Sequence, residues 1–259
     1  MTHPYFEGVR TPAVFAHRGL VTKQMAKDGI AENSVAAIAA AEAAGADYVE
    51  SDCHLTSDGV VVLFHDPTLT RVTGDPRAIA DVTSTELAEI MADRGGLAVL
   101  EDVLSDFPDV RFNIDVKAEA AARKAGRLVA PHAHRVLLTS FSEKRRRLAL
   151  AAAAPARPAT SLGSRPIGFL VAASILGLRR WALWLLRNVD AVQVPHKQGK
   201  HFVVLRPRLL RYAHEAGVLV QVWTINHANR MEKWAAFGVD GIITDHADTA
   251  VRVLRDRST

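Results

Sequence analysis

Cysteine is almost absent: the 259 residues contain one, Cys53. No internal disulfide can form, so the chain has no need of an oxidising compartment, and a cytoplasmic location is expected. A dense Lys/Arg tail is missing, as is any nucleic-acid-binding motif. The 32 basic and 28 acidic residues leave a formal charge of +4, an excess that suits small phosphate-bearing molecules and gives no ground for nucleic acid. The opening stretch, MTHPYFEGVRTPAVFAHRG, has neither the basic nor the apolar region of a secretory signal. Long uncharged apolar runs are lacking too. The most apolar segment reads IGFLVAASILGL, then Arg179-Arg180, then WALWLL, so charge interrupts it before the roughly 18 residues that a membrane span requires. What remains is ordinary globular material, 49% hydrophobic and 23% charged, which excludes disordered, collagen-like and coiled-coil chains.

Short β-rich runs alternate with segments of helical periodicity. The strand candidates are 13–17, 46–52, 111–117, 136–141, 158–162, 191–195, 219–224 and 241–244. Between them lie helix candidates at 34–44, 118–130, 143–153, 167–187, 205–216, 228–237 and 247–255, with a shorter one near 101–106. Eight strands each followed by a helix predict an α/β protein, a (β/α)8 TIM barrel over residues 1–259. The irregular stretch after His65, residues 66–100 with a short helix near 84–91, is expected to be a small insertion over one barrel face. Asn33 and Ser34 supply capping oxygens for the first helix. Helix 167–187, expected to break near Gly177, has two readings. One is an outer barrel helix packed on the sheet and on the insertion, whose apolar face could equally meet a second subunit, leaving the oligomeric state open. The other is an interfacial element that places Trp181 and Trp184 at headgroup depth, with Arg165, Arg179, Arg180 and Arg187 meeting anionic lipid.

Active sites of such barrels lie at the C-terminal strand ends. There this chain places His17-Arg18-Gly19, Glu50 and Asp52, His65-Asp66, Asp115 and Lys117, Trp223 to Asn226, and Thr244-Asp245. Strand side chains alternate, so Glu50 and Asp52 share a face, as do Asp115 and Lys117, and three carboxylates converge. Oxygen donors without Cys or paired His suit a hard divalent cation, Mg²⁺ or Ca²⁺, with Mn²⁺ a further option. His54 extends the Glu50, Asp52 face and keeps a nitrogen ligand open. The competing reading is a strand end in which Asp115 and Lys117 neutralise one another. His17 and His65 form a natural acid and base pair, since imidazole titrates near neutrality. Arg18 and Lys117 are cations able to hold a phosphate, or else to pair with the same carboxylates.

Nine ordered blocks run through the chain: His17-Arg18-Gly19, Glu32-Asn33-Ser34, Glu50-Ser51-Asp52, Thr56-Ser57-Asp58-Gly59, His65-Asp66-Pro67-Thr68-Leu69, Asn113-Ile114-Asp115-Val116-Lys117, Ser140-Phe141, Val222-Trp223-Thr224-Ile225-Asn226 and Gly241-Ile242-Ile243-Thr244-Asp245. Together they closely resemble the glycerophosphodiester phosphodiesterase family of bacterial TIM-barrel enzymes. The resemblance implies metal-dependent hydrolysis of a glycerophosphodiester to sn-glycerol 3-phosphate and an alcohol. It implies Glu50, Asp52 and Asp115 as metal ligands, with His17 and His65 as general acid and base. Arg18 and Lys117 would hold phosphate, Glu32 and Asn33 would support these groups, and Phe141 and Trp223 would wall the glycerol side. By the family's usual route the glycerol 2-hydroxyl attacks phosphorus, and a cyclic phosphate is then opened by water. Three features depart from the pattern. Asp115 stands where Glu is usual, Lys23 and Lys27 lie in a long loop after Gly19, with His227 following Asn226, and the 97–101 segment lacks the expected proline. Two other functions fit the same residues: hydrolysis of lysophospholipids at a membrane surface, and a non-catalytic barrel that binds phosphodiesters. The intact histidine and carboxylate positions argue against the latter.

Overall fold

The computed structural model of the chain describes residues 3–198 and 202–255. In chain order their elements are β1 (Ala13–His17), α1 (Lys23–Lys27), α2 (Val35–Ala43), β2 (Tyr48–Leu55), β3 (Val61–Leu63), α3 (Thr70–Thr73), α4 (Ser84–Met91), α5 (Leu100–Asp106), β4 (Phe112–Val116), α6 (Glu119–Val129), β5 (Val136–Thr139), α7 (Glu143–Ala153), α8 (Ser164–Leu176), α9 (Arg179–Leu186), β6 (Ala191–Pro195), β7 (Lys197–Gln198), β8 (Phe202–Val203), α10 (Pro207–Glu215), β9 (Leu219–Trp223), α11 (Ala228–Phe237), β10 (Gly241–Thr244) and α12 (Ala247–Arg255).

Seven of these strands form a curled sheet in the order β5-β4-β2-β1-β10-β9-β6, every neighbouring pair parallel. The expected fifth strand, 158–162, is not a strand. It meets the two open edges through single parallel bridges, Ala159 with Leu137 of β5 and Ser161 with Ala191 of β6. The reason lies in its residues. Pro155 just before it and Pro158 at its first position cannot donate to a ladder. The hydroxyls of Thr160 and Ser161 then take partners on β5, Leu138 O at 2.8 Å and Thr139 Oγ1 at 2.6 Å. The expected TIM-barrel architecture stands, with one stave reduced to two contacts.

The strand period of two sorts the side chains. Facing outward, Val14, Val49, Ile114, Leu138, Val192, Val220 and Ile242 pack under the helices in the main core. Facing inward, Ala13, Phe15, Tyr48, Leu137, Ala191 and Ile243 join Tyr5 and Phe6 in an apolar plug at the N-terminal end of the strands. Phe15 and Tyr48 stack at 4.2 Å between centroids, and the Tyr48 hydroxyl donates to Tyr5 O at 3.0 Å. Two residues further along each strand the same inward series becomes polar: His17, Glu50, Asp52, Asn113 and Asp115. The barrel is dry at one end and charged at the other because one alternation runs through both.

Residues 66–100 carry α3, α4 and two short 3₁₀ turns. Their apolar side chains, Leu69, Ile79, Val82, Leu87 and Met91, pack on Val62 and Phe64 beside β3 in a cluster apart from the barrel core. Ser34 caps α2, as its position before the apolar run predicts, by accepting from Ala37 N at 3.1 Å. The 167–187 helix is two helices, α8 and α9, divided at Gly177, whose φ of 75° ends the first.

Candidate active site

Register builds the site. Parallel pairing places His17 of β1 beside Glu50 of β2, and Glu50 beside Asn113 of β4. One step up, Asp52 lies beside Asp115, and Asp115 beside Thr139 of β5. Two adjacent inward rows thus hold an imidazole and three carboxylates. The sharp exit from β1 completes the approach. Arg18 has φ 61° and donates its backbone N–H to Glu50 O at 2.8 Å, and Gly19 follows with φ 81°. A Cβ on Gly19 would lie 2.7 Å from the Ala37 backbone, so only glycine lets the loop pack against α2.

The residues expected to do chemistry meet in one cavity of about 180 Å³. His17, His65, Glu50, Asp52 and Asp115 line it, together with Arg18, Lys117, Phe141 and Trp223. Glu32 and Asn33 lie behind this lining. Glu32 accepts from Arg18 Nη1 at 2.8 Å, and Asn33 Oδ1 accepts from the Ser51 hydroxyl at 2.5 Å. Phe141 and Trp223 meet edge to face, 6.0 Å between centroids, and the Lys117 ammonium stands 4.9 Å over the Phe141 ring. His54 turns elsewhere and donates from Nε2 to His65 O at 3.1 Å.

Both cavity histidines are held through Nδ1. That of His17 donates to Asp245 at 2.6 Å, leaving Nε2 3.9 Å from Glu50. That of His65 donates to Asp66 at 2.6 Å. Asp245 in turn accepts from the Asn226 amide at 2.5 Å, while Asp66 accepts from Arg71 Nε at 2.5 Å. Arg71 also reaches Glu32 at 2.6 Å. A chain of opposite charges therefore links His65 to Arg18 through Asp66, Arg71 and Glu32. Burial opposes protonation of His17, but the bond to Asp245 and the charge of Glu50 outweigh it and raise its pKa above the ordinary value.

Asp66, Arg71, Asn226 and Asp245 are partners that strand-end reasoning leaves without a role. Asp66 and Asp245 sit in recognisable blocks. Arg71 carries no local sign, since its acceptor Glu32 is 39 residues away.

The carboxylates are crowded. Desolvation and the neighbouring Asp52 charge push the Glu50 carboxyl up to about 8, against the pull of His17. Burial likewise raises Asp115. Lys117 answers part of this charge, with its ammonium 2.9 Å from Asp52 and 2.7 Å from Asp115. Burial would lower its pKa, but those two charges raise it well above the usual lysine value. Lys117 lines the cavity and pairs with both carboxylates, as the competing reading of this strand end expects for Asp115. Among the described residues no three Asp, Glu, His or Cys groups stand close enough together to hold one ion. The donors nevertheless fit a hard divalent cation. Asp52 Oδ2 and Asp115 Oδ1 are buried without a hydrogen-bond partner, and the third carboxylate beside them is destabilised by their charge.

The charged end of this TIM barrel gathers two carboxylate-held histidines, three buried acids and two cations. The sequence profile of the glycerophosphoryl diester phosphodiesterase family matches residues 17–249, and the chain belongs to that family. It is 36% identical over 244 residues to the probable glycerophosphodiester phosphodiesterase 2 of Mycobacterium tuberculosis, covering 93% of this chain and 88% of that one. A human lysophospholipase D is 28% identical, over 93% of this chain and 84% of its own. The crystal structure of a glycerophosphodiester phosphodiesterase from Thermotoga maritima superposes with a TM-score of 0.73 at 25% identity, covering 94% of this chain and 99% of that one.

Proposed function

We propose that the chain hydrolyses glycerophosphodiesters to sn-glycerol 3-phosphate and an alcohol, by general acid and base catalysis from His17 and His65 with a divalent cation. The observation that carries this is the pairing of each imidazole Nδ1 with a carboxylate, which fixes the tautomer and leaves Nε2 for proton transfer at a shared cavity. One imidazole takes the proton of the glycerol 2-hydroxyl as its oxygen attacks phosphorus. The other gives a proton to the departing alcohol oxygen, so the P–O bond to the alcohol breaks as the cyclic ester forms. Water then opens the ring with the two roles exchanged. Arg18 and Lys117 face the phosphate, and Phe141 and Trp223 wall the glycerol. Glu50, Asp52 and Asp115 would hold the cation, which when bound offsets charge on the phosphoryl oxygens. Residues 66–100 serve as a cover whose Arg71 braces the His65 side. Release of glycerol 3-phosphate from glycerophosphocholine, dependent on added Mg²⁺ or Ca²⁺ and abolished by His17→Ala and His65→Ala, tests the reading. Retained turnover in either variant would overturn the two-histidine assignment.

A second substrate class is favoured by one observation. An apolar groove of about 510 Å³ adjoins the cavity, shares Phe141, Ile167 and Trp223 with it, and continues along Gly168, Val171 and Ile175 of α8. Such a groove suits the acyl chain of a lysophospholipid. Gly168 has open space beside its Cα, so Gly168→Trp would fill the groove without disturbing the cavity. Selective loss of lysophosphatidylcholine turnover in this variant, with glycerophosphocholine turnover kept, would establish that route, and equal effects on both substrates would remove it.

A further inference from the structure

Eight large apolar side chains are exposed among the described residues, and six of them belong to one hairpin, α8–α9. Leu176 is 68% exposed and Trp184 53%, with Phe169, Ile175, Leu178 and Trp181 also open to solvent. Their contacts make a continuous ridge. The Arg165 guanidinium lies 5.9 Å over Phe169, Phe169 lies 5.9 Å from Trp181, Trp184 follows one turn on, and Arg187 covers Trp184 at 4.8 Å. Patches of this kind mark interaction sites.

The charge of the ridge says what it meets. From 164 to 187 there are four arginines and no acid. Arg179 is paired with Glu215 of α10. Among the described residues Arg165, Arg180 and Arg187 have no carboxylate partner, and each flanks the exposed aromatics. Two copies of this chain joined by this face would set arginine against arginine, since a two-fold interface opposes the same patch to itself. An anionic lipid surface offers the complement: phosphates for the guanidinium groups, the headgroup layer for the indoles, and hydrocarbon for the leucines at the turn. Neither helix crosses a membrane; α8 has 13 residues and α9 has 8.

We infer that the α8–α9 hairpin seats the protein on anionic bilayers. Ile175 belongs to both the ridge and the groove, so the bilayer meets the groove's outer end while the catalytic cavity lies at its inner end. Docking stands on the ridge alone, and only its link to the groove rests on the hydrolase reading.

Sedimentation of the full chain with vesicles tests it. Binding is expected to vesicles of equal parts phosphatidylglycerol and phosphatidylcholine, weakened by salt, and to be far weaker on phosphatidylcholine alone. The double variant Leu176→Asp, Trp184→Ala should lower the bound fraction constant by about tenfold or more, because it removes the deepest apolar groups. Arg180→Glu should lower it several-fold on the anionic vesicles only. Both variants should turn over soluble glycerophosphocholine in vesicle-free solution within about twofold of the parent, since neither touches the cavity. A parent protein that stays in the supernatant with both vesicles would overturn the inference. So would variants that bind like the parent, or a dimer that the double variant dissociates. Absence of turnover in the vesicle-free assay would instead strike the hydrolase reading and leave the binding result standing.

Discussion

The Nδ1 of His17 and a carboxylate oxygen of Asp245 are 2.6 Å apart, although 228 residues separate them in the chain. Closure of β10 onto β1 brings them together, with Ala16 beside Thr244 in the register. Asp245→Ala should therefore leave the fold intact while freeing the imidazole to rotate and to carry its proton on either nitrogen. A fall in kcat of about 10- to 100-fold is expected, smaller than the roughly 10²- to 10⁴-fold cost of His17→Ala. Steady-state kinetics on glycerophosphocholine would show this, and a change confined to KM would reassign Asp245 to substrate binding.

Glu32 joins the two sides of the site. Burial raises its pKa, but the hydrogen bond from Arg71 and the charge of Arg18 more than reverse this and leave it below the ordinary carboxylate value. A carboxyl depressed in the folded state stabilises the fold above its unfolded pKa, and that contribution disappears as pH falls through the lower folded value. Glu32→Gln should accordingly be less stable than the parent at neutral pH. The difference should close as pH drops below about 4.3, the ordinary Glu value. Urea unfolding across pH measures the gap, and a gap constant with pH would mean that packing, not charge, is at work.

At Gly19 a methyl group meets both a left-handed backbone and the Ala37 main chain. Gly19→Ala is expected to cost about 2–4 kcal/mol, from the αL penalty and overpacking together. It should displace the Arg18 loop enough to reduce turnover. Chemical unfolding reads the first effect, and residual activity under folding conditions reads the second.

Removal of divalent cations should abolish turnover, with Mg²⁺ or Ca²⁺ restoring it. Asp115→Asn should weaken cation affinity by about 10- to 100-fold, the usual scale for groups that orient or ligate a metal. Calorimetric titration checks the affinity without reference to activity. Asp115→Glu lengthens the arm by one methylene, and a changed order of preference among Mg²⁺, Ca²⁺ and Mn²⁺ is the expected result. Unchanged cation binding in Asp115→Asn would exclude that residue from the donor set.

Much of this was legible in the residues because a strand's period of two is a local rule. Once 13–17, 46–52 and 111–117 read as strands, the common face of Glu50 and Asp52 followed, as did the position of His17 at a strand end. Segment 158–162 failed because it opens on a proline three residues after another and its hydroxyls act on neighbouring strands, neither of which a pattern of apolar residues reports. The long-range links behind the two histidines were hidden for another reason. Arg71 reaches Glu32, and Asp245 reaches His17, only after the chain has folded, and no spacing announces such a meeting. The break at Gly177 was visible, whereas the solvent-facing ridge on both helices beside it depends on which flank the sheet covers.

The rows His17–Glu50–Asn113 and Asp52–Asp115–Thr139 have a consequence for how such a chain can change over time. Loops at the barrel mouth can gain or lose residues without moving the strands. Between Tyr48 and Asp52 the arithmetic is closed. One residue added between Tyr48 and Glu50 would turn both acids toward the helices and draw apolar neighbours into the charged end, so a frame-preserving insertion would erase fold and chemistry together.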